Sequence, residues 1–188
     1  MRPSRSSGLA FTLVELLVVV AVLSFVASLA LVSFGHDWNR AKLNSTALTW
    51  ASWLESVRRS AQRTEAGCVV TLMTLTSQRS GSIVATASSA DGDQGHCAVD
   101  PQLRFVAPAQ ADTVTTFVSA SSLMFTPRGR ILGPDGAALP SGWELRFALS
   151  SVRGIRCIQF SGLLGALRIG SSSTASSVQQ PCTDFSAY

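Results

Sequence analysis

Four cysteines are the residues of this 188-residue chain whose type and spacing most directly suggest chemistry. Cys68, Cys97, Cys157 and Cys182 share no C-x-x-C spacing, and only His96 lies near any of them. Because zinc sites use thiolate and imidazole ligands at short, regular spacings, no metal site is expected here. An even number of cysteines favours two disulfides instead.

Several pairings of four cysteines are possible. We favour the sequential one, Cys68 with Cys97 and Cys157 with Cys182, because each bond would close a segment that folds back on itself locally. Each closed loop is expected to add roughly 3 kcal/mol of stability in the chain-entropy model. Disulfides of this kind imply an oxidising compartment.

A single carboxylate in an apolar run is the second chemical feature. Residues 11–34 contain Glu15 but no other charged residue, no Gly and no Pro. As a helix this segment would be about 36 Å long, which is enough to cross a hydrocarbon core. We therefore expect a membrane-spanning helix, in which the carboxylate needs a cationic partner.

The stretch "AFTLVELLVVVAVL" around Glu15 resembles the N-terminal motif of type IV pilins and type II secretion pseudopilins. In that family a prepilin peptidase cuts before the Phe and the new amine is N-methylated. A Glu at the fifth mature position then pairs with the amine of a neighbouring subunit during assembly. The resemblance implies cleavage between Ala10 and Phe11, methylation of Phe11 and an assembly role for Glu15. The family usually has Gly where this chain has Ala10.

A secretory signal peptide is the alternative interpretation of the same segment. Arg2 and Arg5 would form its basic region, and "SLA" would place the cut after Ala30. The two interpretations differ in the mature N-terminus, which is Phe11 for a pilin and Leu31 for a secreted protein.

The segment after the apolar run continues with a helical pattern. Its apolar residues recur at alternating spacings of four and three and so share one helical face. They are Leu43, Ala47, Trp50, Leu54, Val57 and Ala61. Such a face is typical of a core, so we expect a sheet to pack on it, and Gly67 is expected to cap the helix.

From Cys68 onward the sequence changes to short β-rich runs separated by turn residues. "CVVTLMTLT" and "SIVATAS" flank "SQRSG" as a hairpin, and further strands are expected at "LRFVA", "TVTTFVS", "LMFTP", "WELRFALS", "GIRCIQFS" and "LGALRIG". The expected fold class is α+β and pilin-like: a long N-terminal helix, with a membrane-spanning first half, packed on an antiparallel β-sheet. The Ser-rich tail has no core-forming pattern, so its order is expected to depend on Cys182.

These elements define the expected segments of the chain. Residues 1–10 form a leader peptide and residues 11–34 form a transmembrane and filament-core helix. Residues 35–188 form a periplasmic or extracellular domain, with the Ser-rich tail at 170–188. The implied location is the bacterial inner membrane, with a single pass and a periplasmic C-terminal domain, and then a pilus or pseudopilus.

The second half of the chain resembles the GspH/FimT family of minor pseudopilins. The likeness lies in "LMFTPRGRILG", similar to a Phe-x-Pro-x-Gly element, and in "GIRCIQFSGLLGALRIG". Members of the FimT branch bind DNA through a Gly-Arg-x-Arg element. In this chain "GALR" keeps Gly165 and Arg168 but has Ala166 in place of the first Arg. Arg153 and Arg156 are further candidates for phosphate contacts, although ordinary solvated residues are the favoured interpretation.

Several function classes are disfavoured by composition and motif content. Fifteen Lys and Arg against eleven Asp and Glu give a net charge of +4, too small by itself to indicate nucleic-acid binding. No G-x-S-x-G, P-loop or paired metal-ligand motif occurs, so neither catalysis nor a cofactor is expected. "DGDQG", Asp91 to Gly95, resembles a calcium loop, but its ligand register fails at Gly95 and favours a polar turn.

The expected function is therefore that of a minor pilin or pseudopilin, a structural subunit of a type IV pilus or a type II secretion pseudopilus. The resemblance implies as partners the prepilin peptidase, other pilins or pseudopilins, an inner-membrane assembly platform and the membrane itself. Two alternatives stay open: a pilus-associated subunit that binds DNA for uptake, and a secreted soluble protein.

Overall fold

A computed structural model of the chain describes residues 12–90, 97–109, 111–133, 135–139, 142–161 and 165–187, with the backbone alone at 29–37, 39 and 187. Within these ranges one helix, α1 (Leu13–Thr64), precedes ten strands. The strands are β1 (Cys68–Leu72), β2 (Ile83–Ser89), β3 (Gln102–Arg104), β4 (Val114–Val118), β5 (Ser122–Phe125), β6 (Ile131–Leu132), β7 (Trp143–Leu149), β8 (Ile155–Ser161), β9 (Ala166–Ser172) and β10 (Asp184–Ala187).

The side chains of α1 are described in two stretches, of 16 residues (13–28) and 25 residues (40–64), and at Trp38. The second stretch carries charges along its length, at Arg40, Lys42, Glu55, Arg58, Arg59 and Arg63. In the part of the chain that the structure describes, no helical segment is both long and apolar enough to cross a membrane.

The expected fold class is wrong in consequence. The described part of the chain has no membrane-spanning helix, and the single expected sheet is replaced by two, so the fold is mostly β. The expected location, a single pass through the inner membrane, depended on that helix and is wrong for the same reason.

The strands form two antiparallel five-stranded sheets. The first sheet has the order β3-β2-β1-β5-β6 and the second sheet has the order β10-β9-β8-β7-β4. The expected hairpin is confirmed, because β1 pairs with β2 from Cys68 opposite Ser89 to Leu72 opposite Ala85. The two-residue strand β6 and the last strand β10 were not expected from the sequence.

One hydrophobic core unites residues 40–64 of α1 with both sheets. All six apolar positions of the expected helical face are buried, as predicted. The Trp50 ring contacts Phe147 of β7 at 4.6 Å between centroids and Phe105, just after β3, at 6.5 Å. Aromatic contacts also join the sheets directly, because Phe125 of β5 lies 5.5 Å from Phe160 of β8. The helical face therefore packs on two sheets rather than one.

A buried threonine connects the first sheet to the edge of the second. Thr116 of β4 is 1% exposed, and its hydroxyl accepts the Leu75 N–H at 2.7 Å and donates to the Met73 carbonyl at 2.9 Å. The chain leaving β1 thus hydrogen-bonds to a strand of the other sheet. This contact satisfies buried polar groups that would otherwise cost free energy.

The end of α1 differs from the expected cap. The helix ends at Thr64, and Glu65 has the left-handed φ of 53° that glycine usually supplies at this position. Gly67 instead precedes β1, where its carbonyl accepts the Ala90 N–H at 2.8 Å. The glycine that the sequence suggests as a cap therefore starts the hairpin.

The chain divides into two compact units, Met1–Trp38 and Asn39–Tyr188. The second unit contains both sheets, the hydrophobic core and the C-terminal tail. The expected domain boundary, between residues 34 and 35, stays a prediction.

Candidate functional site

Glu15 lies in the first turn of α1. The Thr12 hydroxyl accepts the Glu15 N–H at 3.2 Å, and the Thr12 carbonyl accepts the Leu16 N–H. Thr12 is thus an N-cap, and the spacing T-x-x-E matches a capping box, in which Glu at this position favours helix initiation. A carboxylate in the first turn also interacts favourably with the helix dipole. The sequence contains this signal, but the interpretation of Glu15 as an assembly residue did not use it.

An apolar surface surrounds Glu15. Every described side chain from Thr12 to Ser28 is exposed, and the consecutive residues 16 to 20 are all Leu or Val. Leu13 is 81% exposed, Leu17 62% and Phe25 67%. Because five consecutive residues point in all directions around a helix, the uncovered apolar surface is not confined to one face.

Other residues singled out in the sequence lie outside the described residues. These are the expected cleavage and methylation residues, Ala10 and Phe11, and the loop at 91–96 with its Asp, Gly and His residues. Their roles stay predictions.

The expected disulfide pairing is confirmed. Cys68 bonds Cys97, and Cys157 bonds Cys182. The first bond links the start of β1 to the segment before β3, which tightens the first sheet. The second links β8 to the tail, and β10 follows directly after it. The sequence predicted that the order of the tail depends on Cys182, and this cysteine does anchor the tail to β8.

One group of possible metal ligands occurs among the described residues, at Glu144, Cys157 and Cys182. Both sulfur atoms of this group belong to the disulfide, so neither is a thiolate. Metal ligation by cysteine requires the thiolate. The group therefore does not form a metal centre in the oxidised chain.

A partly buried ion pair lies under the tail on the outer face of the second sheet, the face that carries Cys157. Arg146 Nη2 lies 2.8 Å from Glu144 Oε2, and Arg146 Nη1 donates to the Gln179 carbonyl at 2.8 Å. The Arg146 guanidinium also stacks 5.1 Å from the centre of the Phe117 ring. Sequence reasoning missed this arrangement, because Arg and Glu two residues apart on a strand also fit an ordinary solvated face.

The tail forms a small second core on the same outer face. Its buried members are Ile155, Cys157, Ala175, Val178 and Cys182, and Phe185 of β10 packs against them. Gly170 of β9 makes room for that ring, because a Cβ there would lie 2.5 Å from Phe185. The Ser-rich tail is therefore a packed part of the fold.

The candidate DNA-contact residues do not form one cluster. Arg156 points to the core face of the second sheet, where its Nε donates to Asn44 Oδ1 of α1 at 2.8 Å. Arg168 points to the opposite, outer face and stacks 5.4 Å from the centre of the Phe185 ring. Arg153 lies exposed in the turn before β8. Because Arg156 and Arg168 lie on opposite faces of the sheet, they do not form a cluster of cations that could bind one phosphate.

The "FTPRG" element lies at the turn between β5 and β6, under the end of α1. Gly129 has φ 74°, and Gln62 of the helix lies so close that a Cβ on Gly129 would clash with it. Arg58 Nη1 donates to the Gly165 carbonyl at 2.9 Å, and Gly165 has φ 60°. These glycines let two turns pack closely on the helix. The two motifs of the second-half resemblance thus have structural roles at this contact.

Comparisons with protein-family models, with curated protein sequences and with solved structures gave no match.

Proposed function

We propose that the chain is a structural subunit of a filament of the type IV pilin or type II pseudopilin class, assembled after cleavage before Phe11. The observation that carries this proposal is the exposed apolar surface of residues 13–28. The proposal requires no membrane-spanning helix. It rests on the need of an exposed apolar helix surface for an apolar partner that covers it.

Contiguous exposed apolar patches on proteins mark interaction sites. A helix that is apolar on all sides is stable only when it is buried on all sides. One flat partner surface or one groove would leave part of residues 16 to 20 uncovered. Several parallel copies of the same helix, as in a filament core, would cover them all.

Glu15 is the charged exception in this surface. In a helix bundle its carboxylate would need a cation, and the amine released by cleavage before Phe11 is the cation that the motif resemblance implies. The capping role of Thr12 explains why Glu favours the start of the helix, but it does not require a negative charge. The two roles are therefore separable by experiment.

Cysteine cross-linking tests the packing of copies. All four native cysteines are in disulfides, so one introduced cysteine supplies a unique reactive thiol. We expect Leu17→Cys to form cross-linked dimers when the full chain assembles in cells. Val106→Cys is the matched control, because Val106 is 72% exposed but belongs to the second unit. Equal cross-linking of both variants, or of neither, would refute the proposal.

Glu15→Gln tests the charge. Gln also suits the third helical position of a capping box, so the helix start is kept while the charge is lost. We expect assembly to fall at least about tenfold, since an unpaired amine would be buried at a cost of more than about 1.4 kcal/mol. Glu65→Gln, at an exposed carboxylate beyond the end of α1, should assemble normally. Normal assembly of Glu15→Gln would show that the negative charge of Glu15 is not needed for assembly.

N-terminal sequencing of the mature protein separates the proposed subunit from a secreted protein. Processing before Phe11 supports the filament subunit. A mature N-terminus at Leu31 would remove residues 13–28 from the product and overturn the proposal.

A further inference from the structure

A cleft of about 250 Å³ lies between α1 and strands β9 and β10. Its lining includes Asn44 of the helix, Arg156 of β8, Ile169 and Ser171 of β9, and Asp184 and Ser186 of β10. All of these residues belong to the unit Asn39–Tyr188.

Arg156 presents an unused part of its guanidinium to the cleft. Its Nε donates to Asn44 Oδ1 at 2.8 Å, which fixes the plane of the group. Among the described residues, no carboxylate forms an ion pair with Arg156. The two terminal amino groups therefore remain as a pair of parallel donors, the geometry that matches a carboxylate or a phosphate.

Arg156 is the cation that lines the cleft, and Arg40 of α1 adds a second positive charge nearby. Arg40 lies one helical turn before Asn44, and burial together with the charge of Arg40 lowers the pKa of Arg156. An anion bound at the half-buried Arg156 would reduce the repulsion between these two cations. Asp184 also lines the cleft, and its Oδ2 accepts the Thr183 hydroxyl at 2.8 Å.

A hydroxyl extends the row of donors. Ser171 is the direct cross-strand partner of Arg156, so both side chains leave the sheet on the same face. Cross-strand partners lie about 5 Å apart, which lets one bound oxyanion contact both. Asparagine, serine and arginine side chains thus converge on a space that fits one small group.

We propose that this cleft binds a single oxyanion group, a carboxylate or a phosphate, on the terminal amino groups of Arg156 with Ser171 beside it. The small volume and the single arginine fit one isolated group rather than a nucleic-acid backbone. Arg168, the other candidate cation of the adjacent strand, points to the opposite face of the sheet and takes no part. The inference is independent of the proposed filament role.

Titration of the full chain with sodium phosphate and with glutarate, at constant ionic strength, tests the proposal. The readout is the NMR signals of the Arg156 Nε–H and the Asn44 side-chain amide. We expect saturable shifts of both signals. Saturation by phosphate alone or by glutarate alone identifies the source of the group, and saturation by both identifies the shared chemistry. Shifts that stay linear in concentration for both anions would overturn the proposal.

Three variants locate the binding. Arg156→Gln should weaken binding at least about tenfold, because a hydrogen bond to a charged group contributes about 1.5–3 kcal/mol. Arg153→Gln removes the same charge at an exposed turn outside the cleft and should bind like the wild type. Asp184→Asn removes a negative charge from the cleft and should bind more tightly. Equal weakening by Arg156→Gln and Arg153→Gln would show a diffuse charge effect and overturn the site.

Asn44→Asp keeps the proposal testable if Arg156→Gln fails to fold. This change is nearly isosteric and places a carboxylate directly on the Arg156 Nε–H. It should abolish anion binding while it keeps or raises the free energy of unfolding. Unchanged anion affinity in Asn44→Asp would contradict the assigned site.

Discussion

The two described stretches of α1 share a backbone conformation but differ in where their apolar side chains go. In residues 40–64 the apolar side chains are spaced by three and four, and those on the stripe are buried. In residues 13–28 they are consecutive, and all described side chains are exposed. Apolar content alone therefore does not determine which side chains of a helix are buried. They are buried where their spacing places them on one face that packs against another part of the same chain.

The two stretches should also contribute to different free energies, one to that of folding and the other to that of association between chains. Substitutions in residues 40–64 should change the free energy of folding, because their contacts are made within the chain. Substitutions in residues 13–28 should change association between chains and leave folding nearly unchanged.

The most direct test compares the stability of the Trp50→Ala and Leu17→Ala variants. Trp50 is 1% exposed and contacts aromatic residues beside or within both sheets, so its truncation should cost about 3–5 kcal/mol of unfolding free energy. Leu17 is 62% exposed, and its truncation should change stability by less than about 0.5 kcal/mol. Denaturant unfolding followed by tryptophan fluorescence measures both. A Leu17→Ala cost equal to that of Trp50→Ala would abolish the distinction.

Replacing Cys157 and Cys182 together by Ala should have the next largest effect. The bond closes a separation of 25 residues, so its loss should cost about 3 kcal/mol in the chain-entropy model. Because the bond holds the tail on β8, amide hydrogen exchange should increase most in β10. Association through residues 13–28 should not change.

The Cys68–Cys97 bond provides the matched comparison for this change. Its removal should increase exchange in β1 to β3 and leave β10 protected. If hydrogen exchange increased equally throughout both sheets in the two variants, the tail would not unfold independently of the rest of the fold.

Thr12→Val should have the smallest effect. It removes the hydroxyl that accepts the Glu15 N–H, and the loss of such a cap costs about 1 kcal/mol. The change should appear as faster hydrogen exchange in the first turn of α1, with no effect on the unfolding of residues 39–188. Thr12→Ser keeps the hydroxyl and should exchange like the wild type. Equal exchange in both variants would show that Thr12 does not cap the helix.

Local patterns in the sequence predicted much of this structure. The buried stripe from Leu43 to Ala61, the hairpin of β1 and β2 and both disulfides follow from spacings of fewer than thirty residues. The division into two sheets depends on non-local pairings, such as β1 with β5 and β4 with β7, which no local pattern specifies. Strand β6 has two residues, too few for a periodicity to be read.

The candidate sites show the same limit. The T-x-x-E signal at Thr12 and Glu15 is local and was readable from the sequence. The position of Arg156 required three facts from the fold: which face of β8 it leaves, which strand lies beside it, and which helix residue lies opposite. Sequence reasoning therefore grouped it with Arg168, although the sheet separates them.

The bond between Cys157 and Cys182 also has a consequence for the order in which the molecule matures. In a reducing environment the tail would lose its anchor, and the free edge of β9 could pair with another chain, a common route to aggregation. In the oxidised chain β10 pairs with β9 from Asp184 opposite Ser171 to Ala187 opposite Arg168, so this edge is covered. We therefore expect β10 to be the part of the fold most sensitive to reduction of the Cys157–Cys182 bond.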